Sequence, residues 1–323
     1  MRAALVLAWL ALGCEPPAAR PIYPGGGGAP DGGEPGSGQP RTVDPRSLGQ
    51  LVDRTVDFAF DGGQLDFEMY RDGDHVVQLA RSHYAIPMMI AWSVVGLQNL
   101  DPSGPTSGVA FLPPAAAPSG LGAAVVLAEL HQLDRTQPYR RELQFKARFG
   151  DPRARPAPYT YALPYPHGLT FSVLQGFHGS FSHRGSNEFA VDFDCPVATP
   201  VIAARPGVVV VTHAAAQGSG TTPQFLDYKR TNFVLIRHDD GTLGEYMHLS
   251  PSGIMVTPGQ RVERGQQLAL SGNTGYSSTP HLHFGVMTAA EDGVSARSFP
   301  FEMAVAPRRV EVPTQGQRYA AWE

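Results

Sequence analysis

Period-two alternation, broken at short intervals by glycine and proline, is the feature that most limits what this chain can become. In YRRELQFKARF (139–149), Leu143, Phe145, Ala147 and Phe149 fall on one side, and Glu142, Gln144, Lys146 and Arg148 on the other. LDFEMY (65–70) sets Leu65, Phe67 and Met69 against polar neighbours, and MMIAWSVV (88–95) reads as a buried strand. A β-strand sends successive side chains to opposite faces, so these are strand patterns. Turn signals separate them: Asp61-Gly62-Gly63, Asp72-Gly73 and Asp101-Pro102-Ser103-Gly104. Residues 48–155 are therefore expected to form a small β-sandwich-like module. No catalytic grouping is visible in it, because His75, His83 and His131 stand alone. Residues 160–290 form a second β-rich stretch, carried by VIAARPGVVVVTH, NFVLIRHDDGTLGEYMHL and QQLALSGNTG, with no helical period beyond two turns. A proline-rich tail, 291–323, is expected to pack on that domain. The fold class is mostly β, with a sandwich-like N-terminal module and a C-terminal sheet domain.

The chain has 323 residues, 42% of them hydrophobic, and a net charge of −4, enough for two domains with cores. No long basic block is present, which excludes nucleic acid as a partner. Residues 1–14, MRAALVLAWLALGC, place Arg2 before an apolar run too short for the ~20 residues that span a bilayer. They fit a secretory signal peptide. Gly13-Cys14 resembles a lipobox, although Ala11 and Leu12 depart from its usual residues. The expectation is a lipid anchor at Cys14, which leaves Cys195 without a disulfide partner. Residues 15–47 are expected to be a disordered, flexible Pro/Gly-rich linker.

Four letters, His281-Leu282-His283-Phe284, carry the chemistry. On a strand the two imidazoles share one face about 6–7 Å apart, a spacing that suits two metal ligands or one ligand and one acid/base group. A catalytic zinc takes three N or O ligands and keeps a fourth position open. FSHRGSNEFAVDFD offers His183 nine residues before Asp192, and Asp194 shares the Asp192 face by pattern. EYMHLS offers His248 at a strand end. His238, before Asp239-Asp240-Gly241, is expected at a solvated strand end beside a tight turn. His178 is expected in a loop and is the fallback for the first ligand. Cys195, beside apolar strand residues, is expected to be a buried, inert thiol.

From about Tyr161 to Val286 these motifs, in this order, resemble the lysostaphin/LytM-type zinc metalloendopeptidases, which cut peptide bonds in peptidoglycan. The resemblance rests on a His-then-Asp element, Ala-x-x-Gly-Val-Val, Tyr-x-His-Leu, the Gly259-Gln260 and Gly265-Gln266 pair, and the closing His-x-His. It implies a LytM-type antiparallel sheet domain with an open groove. It also implies Zn²⁺ held by His183, Asp192 and His283, with His248 and His281 as unligated catalytic histidines. Asp192 is preferred over Asp194 on the resemblance alone. Two places depart from the pattern. Ala198-Thr199-Pro200 replaces Gly-Thr-Pro, where glycine often supplies a positive φ, and nine residues from His183 to Asp192 is a long spacing.

The resemblance implies hydrolysis of peptide cross-links of bacterial peptidoglycan by a zinc-activated water, with the two histidines moving the proton. Peptidoglycan peptide stems are then the partner, and the membrane is met only through a lipid at Cys14. The expected location is the cell envelope, as an exported and anchored lipoprotein facing the periplasm or cell surface. The alternatives are a non-catalytic wall-binding or hydrolase-activating member, and a secreted peptidase acting on proteins or competitor walls. Degenerate members generally lose site residues, and all five positions are filled here. The insertion 213–231 is expected to form a rim loop.

Overall fold

The computed structural model of the chain describes residues 7–8, 41–116 and 120–322. The signal-peptide and lipid-anchor expectations fall outside them, apart from the two-residue strand Leu7–Ala8. The expected linker is corrected at its end. Thr42–Val43 is a strand and Pro45–Leu48 a 3-10 turn, so order begins before residue 47. The reason is apolar contact: Val43 and Leu48 pack against Val77, Leu79 and Ala124.

Seven longer strands build the first module among the described residues: β1 (Gln50–Phe60), β2 (Gly63–Asp72), β3 (His75–Ser82), β4 (Met88–Gln98), β5 (Ser107–Leu112), β6 (Ala124–Gln132) and β7 (Arg140–Phe149). One sheet runs Thr42–Val43, β6, β3, β2, β1, with Leu100–Pro102 also on β6. The other runs Leu7–Ala8, β7, β4, β5. Their apolar faces meet, with the Phe67 and Phe145 rings 4.5 Å apart, and this is the sandwich the alternation predicts. The polar alternates are less solvated than the pattern suggests. Asp66 and Glu68 are buried, and Asp66 is held by Arg54 and by His83 at 2.9 Å. Arg148 is buried too, because the second domain covers it.

The second domain is organised on one antiparallel sheet. Its main strands are β8 (Thr170–Gln175), β9 (Ala190–Phe193), β10 (Gly207–His213), β11 (Phe233–Arg237), β12 (Leu243–Met247) and β13 (Leu282–Ala289). The order is Arg261–Val262, β10, β11, β12, β13, β9, β8, Arg318–Ala320, with Ala296–Ser298 paired to β13. The tail thus contributes strands to the sheet rather than only covering it.

Both faces of the central strands are covered, which explains their near-continuous apolar sequence. Val234, Ile236, Tyr246, Leu282 and Phe284 pack toward a small sheet of Pro200–Ile202, Gln267–Ser271 and Leu249–Ile254. Phe233, Leu235, Leu243 and Met247 face the other way and join the sandwich core. Phe60 meets Phe233 with ring centres 5.4 Å apart. Asp61 and Thr212 exchange two backbone hydrogen bonds of 3.1 Å. Each buried Phe or Leu contributes about 1.5–3 kcal/mol, so the modules share one apolar seam.

His238 is a second correction. It is buried, its Nδ1 donates to the Pro206 carbonyl at 2.9 Å, and burial lowers its pKa to about 4. The turn that follows it is drawn back by Arg205, which pairs with Asp239 and, at 2.7 Å, with Asp240. Gly241 has φ 82°, as a tight turn requires.

Ala198 keeps the glycine-type turn despite its side chain, with φ 69° and its N–H on the Ser271 carbonyl at 2.9 Å. A left-handed L-residue costs about 1–2 kcal/mol, of which the extra unfolded-state freedom of glycine takes back about 0.4–1. Ala198→Gly is expected to stabilise the chain by about 0.5–1 kcal/mol, read as a higher urea midpoint. A lower midpoint would mean that the turn relaxes instead of holding its φ.

Candidate metal centre

One row of side chains crosses the sheet on the face opposite the Phe193–Phe284 core. β12, β13, β9 and β8 pair so that Met247 lies beside His283, His283 beside Asp192, and Asp192 beside Gln175. Period-two geometry sends Val191, Phe193, Leu282 and Phe284 into the core and leaves Asp192 and His283 together on the other side. The 176–189 loop brings in His183, which is fully buried.

Gln175 braces that loop. Its Oε1 accepts from the N–H groups of Phe181 and Ser182 at 3.0 and 3.1 Å, and its Nε2 donates to Asp192 Oδ2 at 2.8 Å. His183 Nδ1 donates to the Gly176 carbonyl at 2.9 Å. That bond leaves Nε2 as a lone pair, and it faces Asp192 Oδ1 at 3.1 Å. His283 Nδ1 approaches the same oxygen at 2.9 Å. Two ring nitrogens closing on one carboxylate oxygen form a donor set that a cation can take up once the nitrogens give up their protons. Donors on a tetrahedral ion with bonds of ~2.0–2.1 Å sit roughly 3.3 Å from one another, close to the spacing seen. All three donor atoms lie within 4.8 Å of one another.

Buried polar groups show the same demand. His183 Nε2 has no hydrogen-bond partner. Burial opposes ionisation of Asp192, but His281 and His183 outweigh it and hold the carboxyl well below its usual range. Burial likewise opposes protonation of His283, yet Asp192 and Glu245 raise its pKa to about 9. Three donors of N, O and N type fit zinc better than the all-oxygen cages of calcium or magnesium.

His248 and His281 stand beside this cluster, with ring centres 4.4 Å apart. His248 sits at φ 62° between two strands, and its Nδ1 donates to the Thr274 carbonyl at 2.7 Å. His281 Nδ1 donates to the Thr279 carbonyl at 2.8 Å. In both rings Nδ1 is taken up by a backbone carbonyl, which leaves Nε2 turned to the site. Burial, and then the neighbouring His281 and His283, push the His248 pKa well down. Gly275 must be glycine here, because its φ is 81° and a Cβ would strike Thr231 Oγ1 at 1.9 Å. It turns the chain into Tyr276, which stacks on Phe181 at 5.9 Å across the groove.

The other sequence candidates lie elsewhere. His178 is exposed, packed on Phe189 and 4.0 Å from Glu188. Asp194 is exposed beyond the end of β9. Cys195 is buried, and burial pushes its thiol pKa up. Sequence reasoning missed Gln175, Tyr228 and Glu245. Glu245 alone left a signal, as a charged residue at an inward position of the apolar strand Leu243–Met247.

Residues 186–295 match the model of peptidase family M23. That span holds Asp192, His248, His281 and His283, and begins just after His183. The chain is 40% identical over 124 residues to peptidoglycan DD-endopeptidase ShyA of Vibrio cholerae serotype O1, covering 37% of this chain and 26% of that one. It is 36% identical over 126 residues to glycyl-glycine endopeptidase ALE-1 of Staphylococcus capitis, covering 39% and 27%. The catalytic domain of lysostaphin from Staphylococcus simulans is 33% identical, covers 43% of this chain and 85% of that one, and gives a TM-score of 0.27. The chain spans about a quarter of the length of these two curated relatives.

Proposed function

From the lysostaphin-type peptidase family M23 domain that this chain carries over residues 186–295, we propose a zinc-dependent endopeptidase that hydrolyses peptide cross-links of bacterial peptidoglycan. The observation that carries this reading is the convergence of His183 Nε2 and His283 Nδ1 on Asp192 Oδ1, at 3.1 and 2.9 Å, beside the paired rings of His248 and His281. His183, Asp192 and His283 would hold the ion. Zinc bound there supplies Lewis-acid activation of a water and of the scissile carbonyl. ShyA is named as a peptidoglycan DD-endopeptidase and ALE-1 as a glycyl-glycine endopeptidase, and the peptidoglycan substrate class is carried here as part of the proposal.

The protein's own groups do the rest. His248, with Nδ1 on the Thr274 carbonyl, presents Nε2 as the group that would take up a proton. His281 Nε2, 3.8 Å from Asp192 Oδ1, sits where a proton can be returned to the leaving amine. The Thr274 and Thr279 carbonyls fix both tautomers, so neither ring must reorient during turnover. Leu174, Phe181 and Tyr276 line the groove and limit water around the reacting bond.

Location completes the proposal. A leader over residues 1–14 and a lipid at Cys14 would tether the enzyme in the envelope, where its substrate lies. The test is incubation of the full chain with purified peptidoglycan, with and without a zinc chelator, and mass spectrometry of released muropeptides. Chelator-sensitive cleavage of a peptide cross-link is the expected result. A zinc-loaded protein that releases nothing sinks the enzyme reading.

A further inference from the structure

His283 differs from the other three histidines of the site. His183, His248 and His281 each give Nδ1 to a backbone carbonyl and turn Nε2 inward. His283 is reversed, with Nδ1 toward Asp192 at 2.9 Å. To offer a lone pair there, it must carry its proton on Nε2. That nitrogen is buried and has no hydrogen-bond partner. Glu245 Oε2 lies 3.7 Å away, near enough for the carboxylate to reach hydrogen-bond distance by side-chain torsion.

Glu245 is 3% exposed, and a carboxylate buried to that degree is costly unless partnered. Its Oε1 accepts from the Tyr228 hydroxyl at 3.1 Å. Tyr228 belongs to the 213–231 insertion, which a rim role alone does not explain. Arg148, from the sandwich module, places its guanidinium 5.9 Å over the Tyr228 ring and adds a favourable charge near Glu245. On the neighbouring strand, residue 285 opposite Glu245 is glycine, so no side chain enters the space beside His283 Nε2.

We propose that Glu245 is a positioning residue for the metal centre. Its carboxylate accepts the Nε2 proton of His283 and so fixes the tautomer that turns Nδ1 to the ion, while Tyr228 and Arg148 hold Glu245 in place. The sandwich module and the insertion are thereby mechanical parts of the metal site. This inference rests on the zinc reading above. Outer partners of ligand histidines set ring orientation and basicity, and losing one weakens metal binding about 10–100-fold.

The test measures the zinc Kd of the full chain by competition with a chelating dye, and the melting temperature of the metal-free chain. Wild type is measured first, since failure to bind one zinc per chain would sink the proposed function rather than this inference. Glu245→Ala is expected to raise the Kd about 10–100-fold and to leave the metal-free chain folded. Glu245→Gln keeps an acceptor for the Nε2 proton and is expected to recover part of that loss. Tyr228→Phe is expected to weaken binding several-fold. If Glu245→Ala does not fold, the Gln and Phe variants decide. A zinc Kd within twofold of wild type in every folded Glu245 and Tyr228 variant overturns the proposal.

Discussion

Under the proposed function, replacing His183, Asp192 or His283 by alanine is expected to abolish zinc binding and to lower peptidoglycan hydrolysis by more than about 10³-fold, beyond the ~10–100-fold expected for an outer partner. The geometry gives the reason. Three donors converge within 4.8 Å, and no second cluster of this kind occurs among the described residues to replace a lost one. Each change also removes a different quantity. Asp192→Ala takes the ionised carboxylate that both imidazoles face. His183→Ala takes a lone pair that its bond to Gly176 points at the site.

A thermal readout separates loss of metal from loss of fold. A ligand that binds only the native state stabilises it by about 4 kcal/mol at a thousand times its Kd. Wild type should therefore melt higher with zinc, and the three alanine variants should melt alike with and without it. Variants that keep a zinc-dependent rise in melting temperature would falsify the ligand set.

Alanine at His248 or at His281 is expected to lower kcat about 10²–10⁴-fold while zinc stays bound. Neither ring belongs to the three-donor cluster. Both are tied by Nδ1 to loop carbonyls, so each is held by the Gly-rich loop and not by the ion. The pair sits 4.4 Å apart, close enough to handle one proton in turn. Residues that act as a unit lose activity non-additively. The double variant should thus fall little below the worse single one. Two outcomes count against the assignment: a histidine variant that sheds its zinc, or one that turns over like wild type. Chelator titration of each variant, run beside the muropeptide assay, distinguishes them.

Legibility in the sequence followed the reach of each signal. Alternation places Leu143, Phe145, Ala147 and Phe149 on one face, and the structure buries all four. The same alternation puts Arg148 on the polar face, yet it is buried, because a strand pattern says nothing about what another domain lays over that face. His238 failed for a related reason. Its turn looks solvated as a string, but Arg205, more than thirty residues earlier, draws the two aspartates back and shuts the histidine in.

The five site residues lie on three local motifs, and the spacing within each motif could be read directly. Spacing alone left Asp192 against Asp194 and His183 against His178 open. Sheet register sets Asp192 beside His283, while Asp194 falls past the end of the strand. The 176–189 loop buries His183 and leaves His178 outside.

The β class could be read from the chain alone, and so could the residue types proposed for the centre, because alternation, turn chemistry and short motifs act over a few neighbours. Only the tertiary structure decided which nitrogen each histidine offers, and that Gln175, Tyr228 and Glu245 stand behind them. Those choices depend on hydrogen bonds and cross-strand register between segments far apart in the chain, and no local pattern encodes a partner that folding alone brings near.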